Sequence, residues 1–189
     1  MQLTDQEIDK WLNGLAAFDR KNEAVMLAIT SVLGIPPSHL DVGSGTGAMI
    51  NLTRRLGSDA IGIDLLPRPD WAHLIEHDLT EPIDLGRKFN LITSIEVAEH
   101  IPESGAEVYL DNIARHAEEG TILVFSAAMP GQQGDGHVHN MPSYWWREKF
   151  DDRGFRWNEV LTYKIVIALS VANYSMRWIE NNLQAFRYG

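Results

Sequence analysis

The 189-residue chain contains no cysteine. Disulfides, zinc–thiolate sites and a cysteine nucleophile are therefore excluded. Positive charge is scarce. Sixteen Lys and Arg stand against 26 Asp and Glu, giving a formal net charge of −10. Nucleic-acid binders neutralise phosphates with Lys and Arg, so the charge balance speaks against a nucleic-acid partner and against an anionic lipid surface. Long apolar runs are also missing. Ile165 to Ala172 is the longest candidate, far below the about 20 residues a membrane-spanning helix needs. Met1-Gln2-Leu3-Thr4-Asp5 lacks the basic region and apolar stretch of a secretion signal. These absences predict a cytoplasmic protein, monomer or homodimer, whose partner is a small molecule.

What is present fits one globular domain over residues 1–189. Hydrophobic residues make up 44% and charged residues 22%, ordinary values for a folded domain with a full core. Thr4 with Glu7 resembles a capping box, and Ile8, Trp11, Leu12 and Leu15 follow at helical spacing. A second helix is predicted from about Arg20 to Leu33, stopped by Gly34 and Pro36-Pro37. Strands are predicted at His39–Val42, Ala60–Ile63, His73–Glu76, Phe89–Ser94, Thr121–Ser126 and Leu183–Tyr188. Helices are expected from Ala48 to near Gly57, from near Pro102 to His116, and over Ser143–Asp152. Glu159–Val171 is ambiguous: its β-branched residues favour strand, while its length and Ala168 favour helix, the preferred reading. Strands alternating with helices imply parallel βαβ units. Met129 to Pro142 is long, Gly-rich and His-containing, as in a functional lid or a disordered loop.

The most informative segment is Asp41-Val42-Gly43-Ser44-Gly45-Thr46-Gly47. A strand that turns through three glycines into a helix makes a cofactor cradle, because glycine accepts positive φ and lets a ligand press on bare main chain. A carboxylate at the tip of the first strand would repel a pyrophosphate. It suits a ligand carrying an ammonium and a sulfonium, such as S-adenosylmethionine. Gly43, Gly45 and Ala48 also satisfy the dinucleotide fingerprint, so an NAD(P)-dependent oxidoreductase is the rival reading. A turn that binds nothing is the plain one.

With these motifs the chain resembles the class I S-adenosylmethionine-dependent methyltransferases, in particular the group with Glu96-Val97-x-Glu99-His100 after strand 4. The resemblance covers about residues 38–189. It implies a Rossmann-like three-layer α/β/α sandwich with a seven-stranded, mainly parallel sheet. It also implies that Asp41, Gly43, Ser44, Gly45 and Gly47 lie under the methionine part of the cofactor. Asp64, followed by Leu65, would hold the ribose hydroxyls; Asp78 would approach the adenine amino group with Leu79 beside the ring. Ser94 and Glu96 would flank cofactor and substrate. The tail is similar to one subgroup through Ala128 to Gln132, Gly136-His137, Tyr144-Trp145, Phe150, Gly154-Phe155 and Asn182 to Arg187. His139 stands where that subgroup has Asn, with Asn140 next. The substrate pocket would come from the N-terminal helices (residues 1–35) and the Met129 loop.

Methyl transfer from an activated donor needs alignment above all. A hydroxyl acceptor also needs a base, and histidine titrates near neutrality. His137 ranks first, His100 second and His139 third. Subgroup resemblance points to a sugar or similar hydroxyl, hence an O-methyltransferase; a cofactor-binding protein without turnover is a further alternative. Glu96, Glu99 and His100, at i, i+3 and i+4, would share one face of a helical turn. Related RNA and quinone O-methyltransferases hold magnesium with such a cluster, which His137 or His139 could complete. The plainer reading is helix capping with a hydrogen-bonded histidine, and no metal is assigned. An extended His137-x-His139 would point both rings the same way. Asp78 could simply cap a short turn, and Asp64 could be a solvent-facing turn residue. Tyr144, Trp145 and Trp146 could stack on a substrate ring but read first as core, as do Trp11, Trp157 and Trp178.

Overall fold

A computed structural model of the protein describes residues 18–65, 73–171 and 177–189. The expected helix over residues 4–15, Trp11 and the Pro67-Arg68-Pro69 loop lie outside the described residues. The elements run α1 (Asp19–Leu33), β1 (Ser38–Val42), α2 (Ala48–Arg55), β2 (Asp59–Asp64), β3 (Leu74–Glu76) and β4 (Leu91–Ile95). Two 3-10 turns follow, Ala98–His100 and Glu103–Gly105. Then come α3 (Ala106–Arg115), β5 (Ile122–Ser126), α4 (Ser143–Asp151), β6 (Phe155–Trp157), α5 (Glu159–Val171), α6 (Arg177–Asn182) and β7 (Gln184–Tyr188).

The seven strands form one sheet in the order β3-β2-β1-β4-β5-β7-β6. β7 runs antiparallel to both β5 and β6, and the other pairs are parallel. Parallel strands must bury both faces, and β5 shows how. Leu123 and Phe125 join one apolar layer with Tyr109 and Ile113 of α3 and Trp146 and Phe150 of α4. Ile122 and Val124 join the opposite layer with Val25 and Ile29 of α1, Met49 of α2, and Leu161, Ile165 and Leu169 of α5. The result is the expected three-layer sandwich. The ambiguous stretch is a helix because Leu161, Ile165 and Leu169 recur every fourth residue and bury one stripe. Strand β6 and helix α6 were not read from sequence; three and six residues are too few to display a period. Trp157 and Trp178 are partly buried against the two layers. Among the described residues no helix is long and apolar enough to cross a membrane.

The chain steps outward from β1 to β2 and β3, then returns to place β4 and β5 on the other side of β1. This reversal leaves a crevice at the carboxyl ends of β1 and β4, where open α/β sheets bind ligands.

Candidate cofactor and acceptor site

The loop after β1 is shaped by its glycines. Gly43, Gly45 and Gly47 have φ of +82°, +53° and +76°. A Cβ on Gly43 would lie 2.4 Å from Val97 Cγ2, so only hydrogen fits there. The N–H groups of Gly43 and Ser44 donate to Ile63 O at 2.8 and 3.0 Å. The Gly45 N–H donates to Asp64 Oδ2 at 2.7 Å. Asp64 thus braces the loop in addition to standing at the tip of β2. A residue missed from sequence also matters: a Cβ on Gly62 would meet Ser44 Oγ at 2.6 Å. A glycine inside a strand is the available signal for such a close approach.

Asp41 and Asp64 lie at the ends of the adjacent strands β1 and β2, and Asp78 follows the end of β3. Asp41 pairs with Gly62, two residues before Asp64, and Asp64 pairs with Glu76, two residues before Asp78. Asp41 is 3% exposed and accepts a hydrogen bond from Thr93 Oγ1 at 2.6 Å. Burial pushes its carboxyl up to about 7, against the Thr93 bond, and the charge of Asp64 adds to the rise. Two acidic groups in one neighbourhood, one of them buried, suit a cationic ligand. Asp78 is exposed and accepts from the Thr80 N–H at 2.9 Å and from Thr80 Oγ1 at 2.7 Å. These bonds hold its carboxyl below the usual range and make it the cap of a short turn. Leu79 is buried in the α3 layer, whereas Leu65 is 54% exposed. The Ser94 hydroxyl points inward, donating to Val42 O at 2.8 Å and pairing with Tyr109 OH at 2.7 Å.

Beyond β4 the expected helical face does not form. Only Ala98–His100 makes a turn, a 3-10 one, and Glu96 stands outside it with φ +54°. The cause is its backbone N–H, which donates to Ser126 O at 3.0 Å and so binds it to β5. The Glu96 carboxylate accepts from Gln132 Nε2 at 3.4 Å and from Asn182 Nδ2 at 3.3 Å, and burial pushes it up. In the sequence Gln132 and Asn182 stand only as parts of the subgroup motifs and Ser126 as a strand end; their pairing with Glu96 arises only through the tertiary fold. Glu99 is fully buried, and neither carboxylate oxygen has a hydrogen-bond donor of good geometry. Burial, then the charge of Glu96, pushes Glu99 up to about 8.

The Met129 loop is fastened over this turn. The N–H groups of Val138 and His139 donate to Glu99 O at 2.9 and 3.1 Å. His100 Nδ1 donates to Gly136 O at 3.1 Å, and burial holds that ring below the usual histidine range. Asn140 Nδ2 donates to Gln132 O at 2.7 Å. His137 lies 4.0 Å from Glu99 Oε1 through Nε2, and its ring meets His100 edge-on at 5.0 Å. It lines an open concavity of about 650 Å³ with Pro130, Gln132, Gly134, Val138 and Asn140.

Ligand atoms of Glu99, His100 and His137 all lie within 4.8 Å of one another. One carboxylate and two imidazoles match the donors of a divalent cation. His139 does not share a site with His137. Its ring is buried, 5.3 Å from Trp145 and 5.7 Å from Trp146. The segment turns at Gly136 (φ +75°) and is pinned to Glu99 O, which sends the two rings apart. Trp146 is core, Trp145 half-buried and Tyr144 exposed.

Glu99 gives a pH prediction. The folded protein keeps its proton to about pH 8, whereas an ordinary glutamate loses it near 4.5. The unfolded state therefore binds fewer protons in this window, and stability falls as pH rises through it. Glu99→Gln should flatten this slope. In chelator-treated protein the variant should melt above the wild type at pH 9 and lose that advantage at pH 5. Parallel melting curves at both pH values would contradict the burial.

A family model described as "Methyltransferase domain" matches residues 4–160. The chain belongs to this methyltransferase domain family. It is 31% identical over 98 residues to a ubiquinone biosynthesis O-methyltransferase of Nitrobacter winogradskyi, a match over 46% of this chain. The chain covers 37% of that relative's length. Among solved structures, a sugar N-methyltransferase of a Streptoalloteichus species is similar with a TM-score of 0.64 at 16% identity, over 88% of this chain and 86% of that one. An amino pentose methyltransferase of Micromonospora echinaspora, solved with S-adenosylmethionine bound, gives 0.61 at 14% identity, over 100% and 98%. Such distant likeness carries the fold alone. Membership in the family sets aside the oxidoreductase reading of the glycine motif.

Proposed function

We propose that the protein transfers a methyl group from S-adenosylmethionine to a hydroxyl of a small molecule, a sugar or similar polyol. The observation that carries this reading is the grouping of Asp41, Asp64 and the glycine loop at the strand tips, tied together by the Gly45–Asp64 bond. In this reading the glycine loop lies under the cofactor, Asp41 faces its cationic end, and Asp64 accepts ribose hydroxyls. Asp78, with Leu79 behind it, stands one strand further out on the adenine side. S-adenosylmethionine supplies an already activated methyl group, so orientation is the protein's main contribution, worth roughly 7–11 kcal/mol in favourable cases.

His137 is the base in this reading. Its Nε2 lies 4.0 Å from Glu99 Oε1, and its Nδ1 lies 3.5 Å from Asn140 Nδ2. His100 packs edge-on against its ring at 5.0 Å. Glu99, His100 and His137 would also hold a divalent cation, whose contribution would be to lower the acceptor hydroxyl's pKa.

Equilibrium binding of S-adenosylmethionine against NAD tests the cofactor, with tighter NAD binding sinking the proposal. Release of S-adenosylhomocysteine over matched hydroxyl and amine acceptors tests the reaction. Binding with no product from either class would identify a protein that binds without turnover. His137→Ala should slow hydroxyl methylation at least 100-fold, within the range of general-base contributions, and leave cofactor affinity nearly intact. Weakened affinity with an unchanged rate would remove His137 from this role.

A further inference from the structure

Asp41 ends a chain of buried polar groups that runs under the glycine loop. Its members are Thr53 of α2, His39 and Asp41 of β1, and Thr93 of β4. None is more than 3% exposed. Thr53 Oγ1 lies 3.1 Å from His39 Nδ1, His39 Nε2 lies 2.7 Å from Thr93 Oγ1, and Thr93 Oγ1 lies 2.6 Å from Asp41 Oδ1. At the far end Thr53 Oγ1 is 3.1 Å from both Met49 O and Ile50 O. Burial pushes His39 down to about 3, so the ring is neutral at ordinary pH and carries one proton.

Counting donors fixes where that proton sits. A hydroxyl has one proton to give, and a neutral imidazole has one N–H and one bare nitrogen. When Asp41 is ionised, Thr93 must donate to it. The Thr93 oxygen is then the acceptor for His39 Nε2–H, and bare Nδ1 accepts from Thr53. When Asp41 carries a proton on Oδ1, each link turns round. Asp41 donates to Thr93, Thr93 to Nε2, and Nδ1–H to Thr53, whose own proton turns to Met49 O or Ile50 O. Both arrangements satisfy every group. With the Asp41 proton on Oδ1, any mixture of the two sets two protons or two lone pairs against each other at a buried link.

We infer that the ionisation of Asp41 sets the tautomer of His39, so that proton loss at the strand tip reverses the whole chain as far as the first turns of α2. The step balances simply. Asp41 gives one proton to solvent, two hydroxyls rotate, and the imidazole exchanges its proton from Nδ1 to Nε2. The charged or titratable groups that act on Asp41 are few. The charge of Asp64 on β2 opposes its ionisation, and Tyr109 of α3 is the phenol that feels its charge. With the Asp41 carboxyl pushed up to about 7, both arrangements fall in an accessible range. The functional part rests on the proposed cofactor: a cation beside Asp41 favours the ionised chain. His39 and Thr93 are then positioning residues that hold the carboxylate and register pocket occupancy in α2.

The test is a nitrogen-15 and carbon-13 NMR titration of the full chain without ligand, from pH 5.5 to 9. The His39 ring should pass from the Nδ1–H to the Nε2–H form at the midpoint of the Asp41 carboxyl. Thr93→Val should uncouple the two titrations, and Thr93→Ser, which restores the hydroxyl, should recouple them. A wild-type His39 that keeps one tautomer across the range overturns the inference, whatever the variants do. Saturating S-adenosylmethionine at pH 6 should drive the ring to Nε2–H. A coupled titration in a protein that binds no S-adenosylmethionine would uphold the chain and reject the cofactor. Tight binding with an unmoved tautomer would do the reverse.

Discussion

Gly43→Ala is expected to lower the stability of the protein by about 2–5 kcal/mol. Two separate penalties add. The first is backbone strain: a side chain at φ +82° costs about 1–2 kcal/mol. The second is overpacking, because the new methyl would lie 2.4 Å from Val97 Cγ2 and 2.6 Å from Val97 Cγ1. A β-branched valine has little rotamer freedom, so the loop must move, at about 1–3 kcal/mol. For a domain of this size the sum corresponds to a fall of about 4–20 °C in melting temperature. Gly57→Ala supplies the control. Its φ is +99° and nothing lies within 4 Å of an added methyl, so it should show the strain alone. Val97→Ala in the Gly43→Ala background should recover part of the overpacking loss and none of the strain. Should Gly43→Ala prove no worse than Gly57→Ala, the close approach between the loop and Val97 would be wrong.

This site shows why part of the molecule was legible in its sequence. Gly43, Gly45 and Gly47 announce themselves because a backbone demand for positive φ leaves one acceptable residue. Asp41, Asp64 and Asp78 follow from strand ends, which the apolar runs of β1 and β2 mark clearly. Glu96 was found by motif but misplaced, because its φ of +54° is imposed by Ser126 on another strand. Its carboxylate partners, Gln132 and Asn182, come from a loop and a six-residue helix. No local pattern reports a contact across 86 residues. The sequence ranks His137 above His139 but shows both in one His-x-His segment, and the burial of His139 against Trp145 and Trp146 is what separates their sites. The Thr53–His39–Thr93 chain is hidden for the same reason: its members are ordinary strand and helix residues until the sheet register aligns them.

Under the proposed function, Asp64→Ala should weaken S-adenosylmethionine binding by about 2–3 kcal/mol, the scale of hydrogen bonds to a charged group, or about 30- to 150-fold. That loss mixes two roles, since Asp64 both faces the pocket and accepts the Gly45 N–H at 2.7 Å. Asp64→Asn separates them. The amide oxygen can still accept from Gly45, so the loop keeps its brace, while the charge that strengthens the ribose bonds disappears. Binding to Asp64→Asn should therefore fall less than to Asp64→Ala, and the difference reads the bracing. The charge also has an opposite effect on the empty protein. It stands near buried Asp41 and adds to the rise that burial imposes on that carboxyl, so its removal should lower Asp41 in part, with burial still holding it up. At pH 8, above the raised Asp41 value of about 7, Asp64→Asn should then melt at or above the wild-type temperature while binding the cofactor worse. Such opposed changes are the mark of a site that spends stability on its ligand. Lowered stability together with unaltered affinity would show instead that Asp64 serves the fold and not the pocket.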